Sequence, residues 1–497
     1  MQLLPEALYT AAQTRALDRL AAERFGLASE TLMQRAGQAA FELLRWHWPR
    51  ARRIVVVCGP GNNGGDGYVV AECAHAVGLT VNVYTLGDPR KLHGAALAAR
   101  QRCEASGVRM APLTPDPLRD CDLLVDAVFG TGMERELSGE WRAAVEAINA
   151  AGQPVLALDL PSGLHADNGR VLGMAVRANA TLTFIALKAG LFTGAGREYS
   201  GEIFYDALGV PLELFDTATP VARRITQASL HGALPRRARH AHKGDAGCVL
   251  VVGGQPGMSG AARLTGEAAY RVGAGLAVLA THPQHSHCIN AGCPELLSYG
   301  VLDAAALRPL MADADVIAVG PGFGQGEWGR ALWGAVLDSA APLVVDADAL
   351  NLLAADPVKR ANWTLTPHPG EAARLLECTA AEVQADRFHA ARAIVARYGG
   401  VCVLKGSGTV IAQADETMEL CDRGHPGMAS GGMGDVLTGT IAGLMAQGAS
   451  ALAAARLGVW GNAAAADAIA ERRGELGLLA SEVCAELPVW INRVAPP

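Results

Sequence analysis

What this sequence has little of narrows it first. Basic residues are the minority, 42 Lys and Arg against 49 Asp and Glu, giving a net charge of −7 over 497 residues. That balance argues against a nucleic-acid footprint, which needs a basic surface. The one local basic cluster, Arg236, Arg237, Arg239, His240, His242 and Lys243, reads as a solvated linker. No two of the eleven cysteines stand at C-x-x-C spacing, so no zinc site is indicated. Cys58, Cys248 and Cys402 sit inside apolar runs, as free buried thiols do, which points to a reducing cytosol. No apolar run reaches the roughly eighteen residues of a membrane span. The opening MQLLPEALYT lacks the basic and apolar regions of a secretory leader. A cytoplasmic protein free of membrane and nucleic acid is expected, with no tandem repeat or low-complexity tract.

What is present is an apolar, glycine-rich α/β composition: 50% hydrophobic residues, 18% charged and 58 Gly. The length calls for two or three domains. Short Val/Ile/Leu runs alternate with Ala-rich helical stretches. The first half offers strands at Ile54–Cys58, Val81–Leu86, Leu123–Phe129, Val155–Asp159 and Thr181–Ala186. The second offers Val249–Val252, Ala277–Ala280, Val316–Val319, Leu343–Asp346, Val401–Leu404 and Thr409–Ala412. Runs apolar on both faces and separated by helices predict parallel sheets covered on both sides. Reactive groups then gather at strand carboxyl ends, where Asp126, Asp159, Asp346 and Lys405 fall. Pro211 and Pro220, followed by polar and basic residues, place a domain boundary near residues 215–230.

Two glycine-rich loops carry the chemistry. Gly59-Pro-Gly-Asn-Asn-Gly-Gly-Asp-Gly67 follows the first strand, and Gly427-Met-Ala-Ser-Gly-Gly-Met-Gly-Asp435 precedes the helical pattern Val436–Met445. Such loops let backbone N–H groups turn toward a ligand at a helix N-terminus. Gly59, Gly61 and Gly64 also spell a dinucleotide fingerprint, with Asp88 near the ribose-binding distance. Against a dehydrogenase, Asp66 sets a carboxylate beside the pyrophosphate, where like charges repel unless a cation intervenes. Asn62 and Asn63 add hard oxygen ligands suited to one. Asp126 before Gly130 and Gly132, Asp159 before Ser162 and Gly163, and Lys188 complete a constellation at adjacent strand ends.

The motifs GPGNNGGDG, DAVFGTG and DLPSG, in this order, resemble the NAD(P)H-hydrate epimerase domain over about residues 1–215. The resemblance implies that Asn62, Asn63, Gly64, Gly65 and Asp66, with Gly130, Thr131, Gly132, Met133, Glu134, Arg135 and Glu136, hold the hydrated dinucleotide. It implies a potassium ion on Asn63, Asp126 and Ser162, with Asp159 facing the reacting ring. Epimerisation at the carbinolamine C6 needs a group that takes and returns a proton. Asp159 is expected in that role, with Lys188 as its partner.

In the second half, Gly320-Pro-Gly-Phe-Gly324, Thr366-Pro-His-Pro-Gly-Glu371, Lys405-Gly-Ser-Gly-Thr409 and the Gly431-Gly-Met-Gly-Asp435 turn succeed one another. His368 between two prolines has a preset backbone. A carboxylate beside bare N–H groups suits deprotonation of a hydroxyl next to a transferring phosphoryl group. This half resembles the ADP-dependent NAD(P)H-hydrate dehydratase, a ribokinase-like fold, through nearly all of residues 225–497. The resemblance assigns Lys405, Gly406, Ser407, Gly408, Thr409 and Gly434 to the adenine nucleotide. It assigns Ala261, Gly322, His368 and Asp435 to the hydrated dinucleotide, with magnesium accompanying ADP. His425 stands where Asn is expected before Pro426, and a His-Gly pair expected near Asn462 is missing.

The expected fold is thus α/β: a Rossmann-like three-layer domain with a parallel sheet at 1–220 and a ribokinase-like α/β domain at 225–497. The expected partners are hydrated NADH and NADPH and ADP, in a homo-oligomer. A small-molecule kinase with a dinucleotide-binding N-terminal module is the competing reading.

Overall fold

A computed structural model describes residues 3–114, 118 and 120–494. Two compact units meet in sequence at Arg223 and Arg224. The outer limits of the two expected domains, residues 1 and 497, lie outside the described residues.

In the first unit, seven strands pair in parallel throughout. Across the sheet they run Arg109–Pro112, Thr80–Thr85, Arg53–Cys58, Leu123–Ala127, Val155–Leu158, Ala180–Phe184 and Glu202–Asp206. Strands added outward on both sides of Arg53–Cys58 give the doubly wound order of a Rossmann-like sheet. Its switch point falls between Arg53–Cys58 and Leu123–Ala127, where the first glycine-rich loop emerges. Side-chain alternation shows why both faces are covered. Ile54, Val56 and Cys58 enter one apolar cluster, while Val55 and Val57 enter the other. The edge strands Arg109–Pro112 and Glu202–Asp206 were not foreseen; the first is largely exposed and has no continuous apolar run.

The ends of this unit are tied together. Ala7 and Leu8 pair antiparallel with Arg223 and Ala222. On its other side, the same strand pairs Leu8 with Leu187 and Tyr9 with Lys188 in parallel.

The second unit orders seven parallel strands: Leu297–Gly300, Leu276–Thr281, Cys248–Val252, Val316–Val319, Leu343–Val345, Trp363–Leu365 and Val401–Leu404. Two more, Thr409–Gln413 and Met418–Cys421, follow as antiparallel hairpins. This departs from an all-parallel expectation. The connection from Leu404 to Thr409 is far too short for the dozen or more residues of a parallel crossover, so the chain must fold back. Trp363–Leu365 escapes sequence reading because it is only three residues long.

Helix Met433–Ala446 packs across this sheet against helix Ser259–Arg271. The seam is made of small residues. A Cβ on Gly439 would stand 1.9 Å from the Thr265 carbonyl oxygen, and one on Gly443 would stand 2.7 Å from that of Ala269. Neither contact leaves room for a methyl group. Gly439→Ala is therefore expected to cost about 1–3 kcal/mol or more, read as a lower denaturant midpoint. This helix carries Asp435 in its first turn.

Candidate active sites

In the first unit, Gly61 is the extended N-cap of helix Asn62–Ala76, and no side chain caps it. The run Asn62 to Asp66 is thus the first helical turn rather than a free loop. Close packing explains its glycines. A Cβ on Gly59 would meet the Val128 oxygen at 2.0 Å, and one on Gly64 would meet the Gly59 oxygen at 2.1 Å. The loop is pressed onto the end of the neighbouring strand.

A cavity of about 430 Å³ opens there. Asn62, Asn63, Asp66, Gly130, Thr131, Gly132, Asp159 and Lys188 line it. Gly64 and Gly65 lie buried outside its lining, and Met133, Glu134, Arg135 and Glu136 are likewise not among its walls. Asp18 and Arg15, from helix Ala11–Phe25, also line it and were not foreseen. They sit on an amphipathic helix with no glycine-rich signature, so no local signal marks them.

Asp159 follows its strand with φ 63°, a left-handed geometry that Asp and Asn tolerate better than most residues. Its carboxylate accepts from the Lys188 ammonium. Lys188 is fully buried and also donates to Thr183 Oγ1 at 3.1 Å and the Phe184 carbonyl at 2.8 Å. Asp66 is pushed well up, first by burial and then by the charges of Asp159 and Asp18, with Lys188 opposing. Burial therefore favours its neutral carboxyl over the charged form.

Asp126 and Ser162 are fully buried and do not line the cavity; they accept from the backbone of Val128 and Phe129, which do. Ser162 Oγ donates to Asp126 Oδ1 at 2.6 Å, Ser162 N to Oδ2 at 2.8 Å, and Val128 N to Oδ1 at 3.2 Å. Burial raises the Asp126 carboxyl to about 6, against these lowering bonds. Asn63 is buried, and neither of its amide atoms has a hydrogen-bond partner among the described residues. Orphaned buried polar atoms of this kind ask for a ligand. No cluster of three His, Cys, Asp or Glu among the described residues is placed to hold a metal. Asn63, Asp126 and Ser162 offer amide, carboxylate and hydroxyl oxygens, the donor types that hard cations take.

In the second unit, Asp435 is not a helix cap. Gly432 is the N-cap of Met433–Ala446, at φ 89°, so Gly434 and Asp435 lie inside the first turn. Lys405 Nζ donates to Asp346 Oδ1 at 2.6 Å, and Thr438 Oγ1 to Asp346 Oδ2 at 2.8 Å. A Cβ on Gly434 would sit 3.3 Å from Lys405 Nζ and 3.4 Å from Asp346 Oδ2. The Lys405 turn, the end of Leu343–Val345 and the Asp435 helix therefore converge on one point.

Burial pushes Asp435 up to about 7, and Asp346 adds to the rise while Lys405 opposes it. Burial alone would raise Asp346 too, but Lys405 and the hydrogen bonds it receives hold it lowered. Lys405 stays raised despite burial because Asp346 and Glu371 surround it. Glu371 Oε2 is 3.8 Å from Lys405 Nζ, and its Oε1 is 3.3 Å from His368 Nε2. Burial and Lys405 keep His368 lowered, hence neutral at physiological pH. Ala261 and Gly322 adjoin: a Cβ on Gly322 would be 3.2 Å from that of Ala261. Gly406 and Ser407 are exposed, while Thr409 begins the return strand. Glu371 and Thr438 were not assigned roles from sequence, and Asp346 only a place at a strand end.

The two departures have local explanations. His425 Nδ1 accepts from Gly427 N at 3.1 Å, and its Nε2 lies 3.2 Å from Glu475 Oε1. Asn462 is buried and donates to Thr440 Oγ1 at 3.1 Å, joining helix Ala451–Arg473 to the Asp435 helix.

A lysine–carboxylate pair beside a glycine-rich helix start stands once in each unit, the layout of an α/β protein with two candidate small-molecule sites. A family described as NAD(P)H-hydrate dehydratase matches residues 249–489, and one described as YjeF-related protein N-terminus matches residues 29–190. The bifunctional NAD(P)H-hydrate repair enzyme Nnr of Coxiella burnetii is 47% identical over 485 residues, 98% of this chain and 99% of that protein. Its counterpart from Escherichia coli is 43% identical over 98% of this chain and 95% of its own length. A ribokinase-like superfamily protein from Enterococcus faecalis superposes with a TM-score of 0.52 at 26% identity, covering 56% of this chain and 99% of that one. The chain belongs to the bifunctional NAD(P)H-hydrate repair enzyme family. Among the described residues no helix is long and apolar enough to cross a membrane.

Proposed function

We propose that the N-terminal domain, placed at 1–220 from the sequence, interconverts the R and S forms of hydrated NADH and NADPH. The second, at 225–497, dehydrates the S form at the expense of ADP, releasing AMP and phosphate. Family membership along nearly the whole chain carries this reading.

For epimerisation, Asp159 is the proton carrier at C6 of the hydrated ring, and Lys188 holds its carboxylate in place from the buried side. Asn63, Asp126 and Ser162 would hold a potassium ion, which would supply fixed positive charge to the site. Replacing Asn63 with the similarly sized Leu is expected to abolish potassium-dependent epimerisation. It should also abolish any rise of the thermal midpoint in KCl over choline chloride. A midpoint shift retained in the variant would remove Asn63 from the cation site.

For dehydration, Asp435 takes the proton of the C6 hydroxyl, whose oxygen attacks the terminal phosphorus of ADP. The new O–P bond forms as the anhydride bond to AMP breaks. The ring-nitrogen lone pair then expels phosphate with cleavage of the C6–O bond, and proton loss from the ring restores the dihydronicotinamide. Lys405 and the turn Gly406, Ser407, Gly408 and Thr409, with Gly434, hold the nucleotide, and magnesium would neutralise its diphosphate. Ala261, Gly322 and His368 contact the hydrated dinucleotide.

The test mixes purified protein with S and R hydrated NADH, magnesium, potassium and ADP. Full recovery of NADH absorbance, faster than unaided epimerisation, is expected. Recovery of the S fraction alone would refute the epimerase, and a stable phosphorylated product without NADH would favour the kinase.

A further inference from the structure

Under the Lys405–Thr409 turn lies a charge that no carboxylate among the described residues pairs with. Arg387 is completely buried. It is the first residue of helix Arg387–Tyr398, the positive end of the helix dipole, where a cation is disfavoured. Among the described residues no carboxylate pairs with it. Its Nη1 donates to the neutral amide oxygen of Gln384 at 2.5 Å. Its Nη2 faces three backbone carbonyls, those of Leu404 at 3.0 Å, Lys405 at 3.2 Å and Gly408 at 3.3 Å. Its Nε has no partner. The other titratable group in its field is Cys402, a buried thiol whose anion is suppressed by that burial. Even so, a guanidinium remains protonated.

Burying an unpaired cation is costly, and carbonyl dipoles offset only part of that cost. The turn above it shows the geometry this arrangement serves. Gly406 has φ 136°, and a Cβ there would stand 3.0 Å from Arg387 Nη1. The backbone of the turn therefore rests directly on the guanidinium, its carbonyls drawn inward, while Gly406 and Ser407 remain exposed on the outer side.

We propose that Arg387 is a positioning residue that completes an anion site from below. The phosphates of an adenine nucleotide on the outer face of the turn supply its missing countercharge, so the residue selects for charged nucleotide without touching it. This rests on the nucleotide reading of Lys405–Thr409. It separates two tasks: Lys405 meets the ligand while paired to Asp346, and Arg387 contributes charge that no protein carboxylate cancels.

The experiment titrates full-length protein, its Arg387→Met variant and its Arg387→Lys variant with magnesium-ADP and with uncharged adenosine. R387M is expected to bind ADP roughly tenfold or more weakly while adenosine affinity changes by less than about twofold. R387K keeps the charge and is expected to hold the ADP-over-adenosine ratio within about threefold of the parent. A purely structural arginine would lower both affinities together, and that result overturns the proposal. So does an unchanged ratio in R387M. Should R387M not fold, a folded R387K whose ratio falls tenfold overturns it equally. Parent protein that binds no ADP overturns the nucleotide reading and this inference with it. Parent that binds ADP while R387M keeps the parent ratio overturns this inference alone.

Discussion

Asp435→Asn is expected to lower dehydration roughly 10²–10⁴-fold, the usual share of a positioned general base, while ADP binding is retained. The substitution keeps the shape and the helix start set by Gly432, and it leaves the Lys405–Asp346 pair intact. What it removes is the basic oxygen. The pH profile provides the sharper check. Burial, reinforced by Asp346, raises Asp435 to about 7. A base works deprotonated, so kcat/KM should climb about tenfold per pH unit below that value and level off above it. In D435N the limb should vanish. Retained turnover, or a limb that survives the substitution, would move the base elsewhere.

Asp159→Asn should abolish epimerisation and leave dehydration of the S form untouched, so that only the S fraction of a mixed substrate is recovered. Asn is the right probe because it tolerates φ 63°; Ala or Glu would confound lost chemistry with backbone strain. A second effect accompanies the first. Lys188 is 1% exposed in its side chain and loses its anion. Breaking a buried pair from one side costs about 3–5 kcal/mol, less here because the amide oxygen and Thr183 still accept from the ammonium. Denaturant unfolding should therefore show D159N destabilised. The double variant D159N/K188M should recover stability without recovering activity. If stability and activity return together, the pair is structural and the proton carrier is another group, with Asp18 or Asp66 the next to replace.

The parts of the sites visible in sequence are those tied to local grammar. Asp126, Asp159 and Asp346 stand at or just past parallel strand ends, and Asp435 stands in a glycine-rich turn. The parallel sheets followed from runs apolar on both faces. What could not be read is pairing at a distance. Lys405 meets Asp346 across 59 residues, and Thr438 meets it across 92. Asp18 and Arg15 reach the first cavity from a helix with no glycine-rich signature, and Arg387 reaches the Lys405–Thr409 turn from the helix before it. The hairpin at Leu404–Thr409 is a different case. Its four-residue connection was in plain view, yet a repeating α/β rhythm suggested another parallel strand.

The strand Ala7–Tyr9 has a consequence for anyone who would cut this protein in two. It lies between the residues just before Arg224 and the short strand that presents Lys188. A scissor placed at 220 removes Ala222 and Arg223, strips one flank of that strand and leaves the lysine's support half anchored. A cut after Arg224 spares it. During synthesis the same arrangement makes the first site a late product: its lysine is framed only when residues more than thirty positions downstream have left the ribosome.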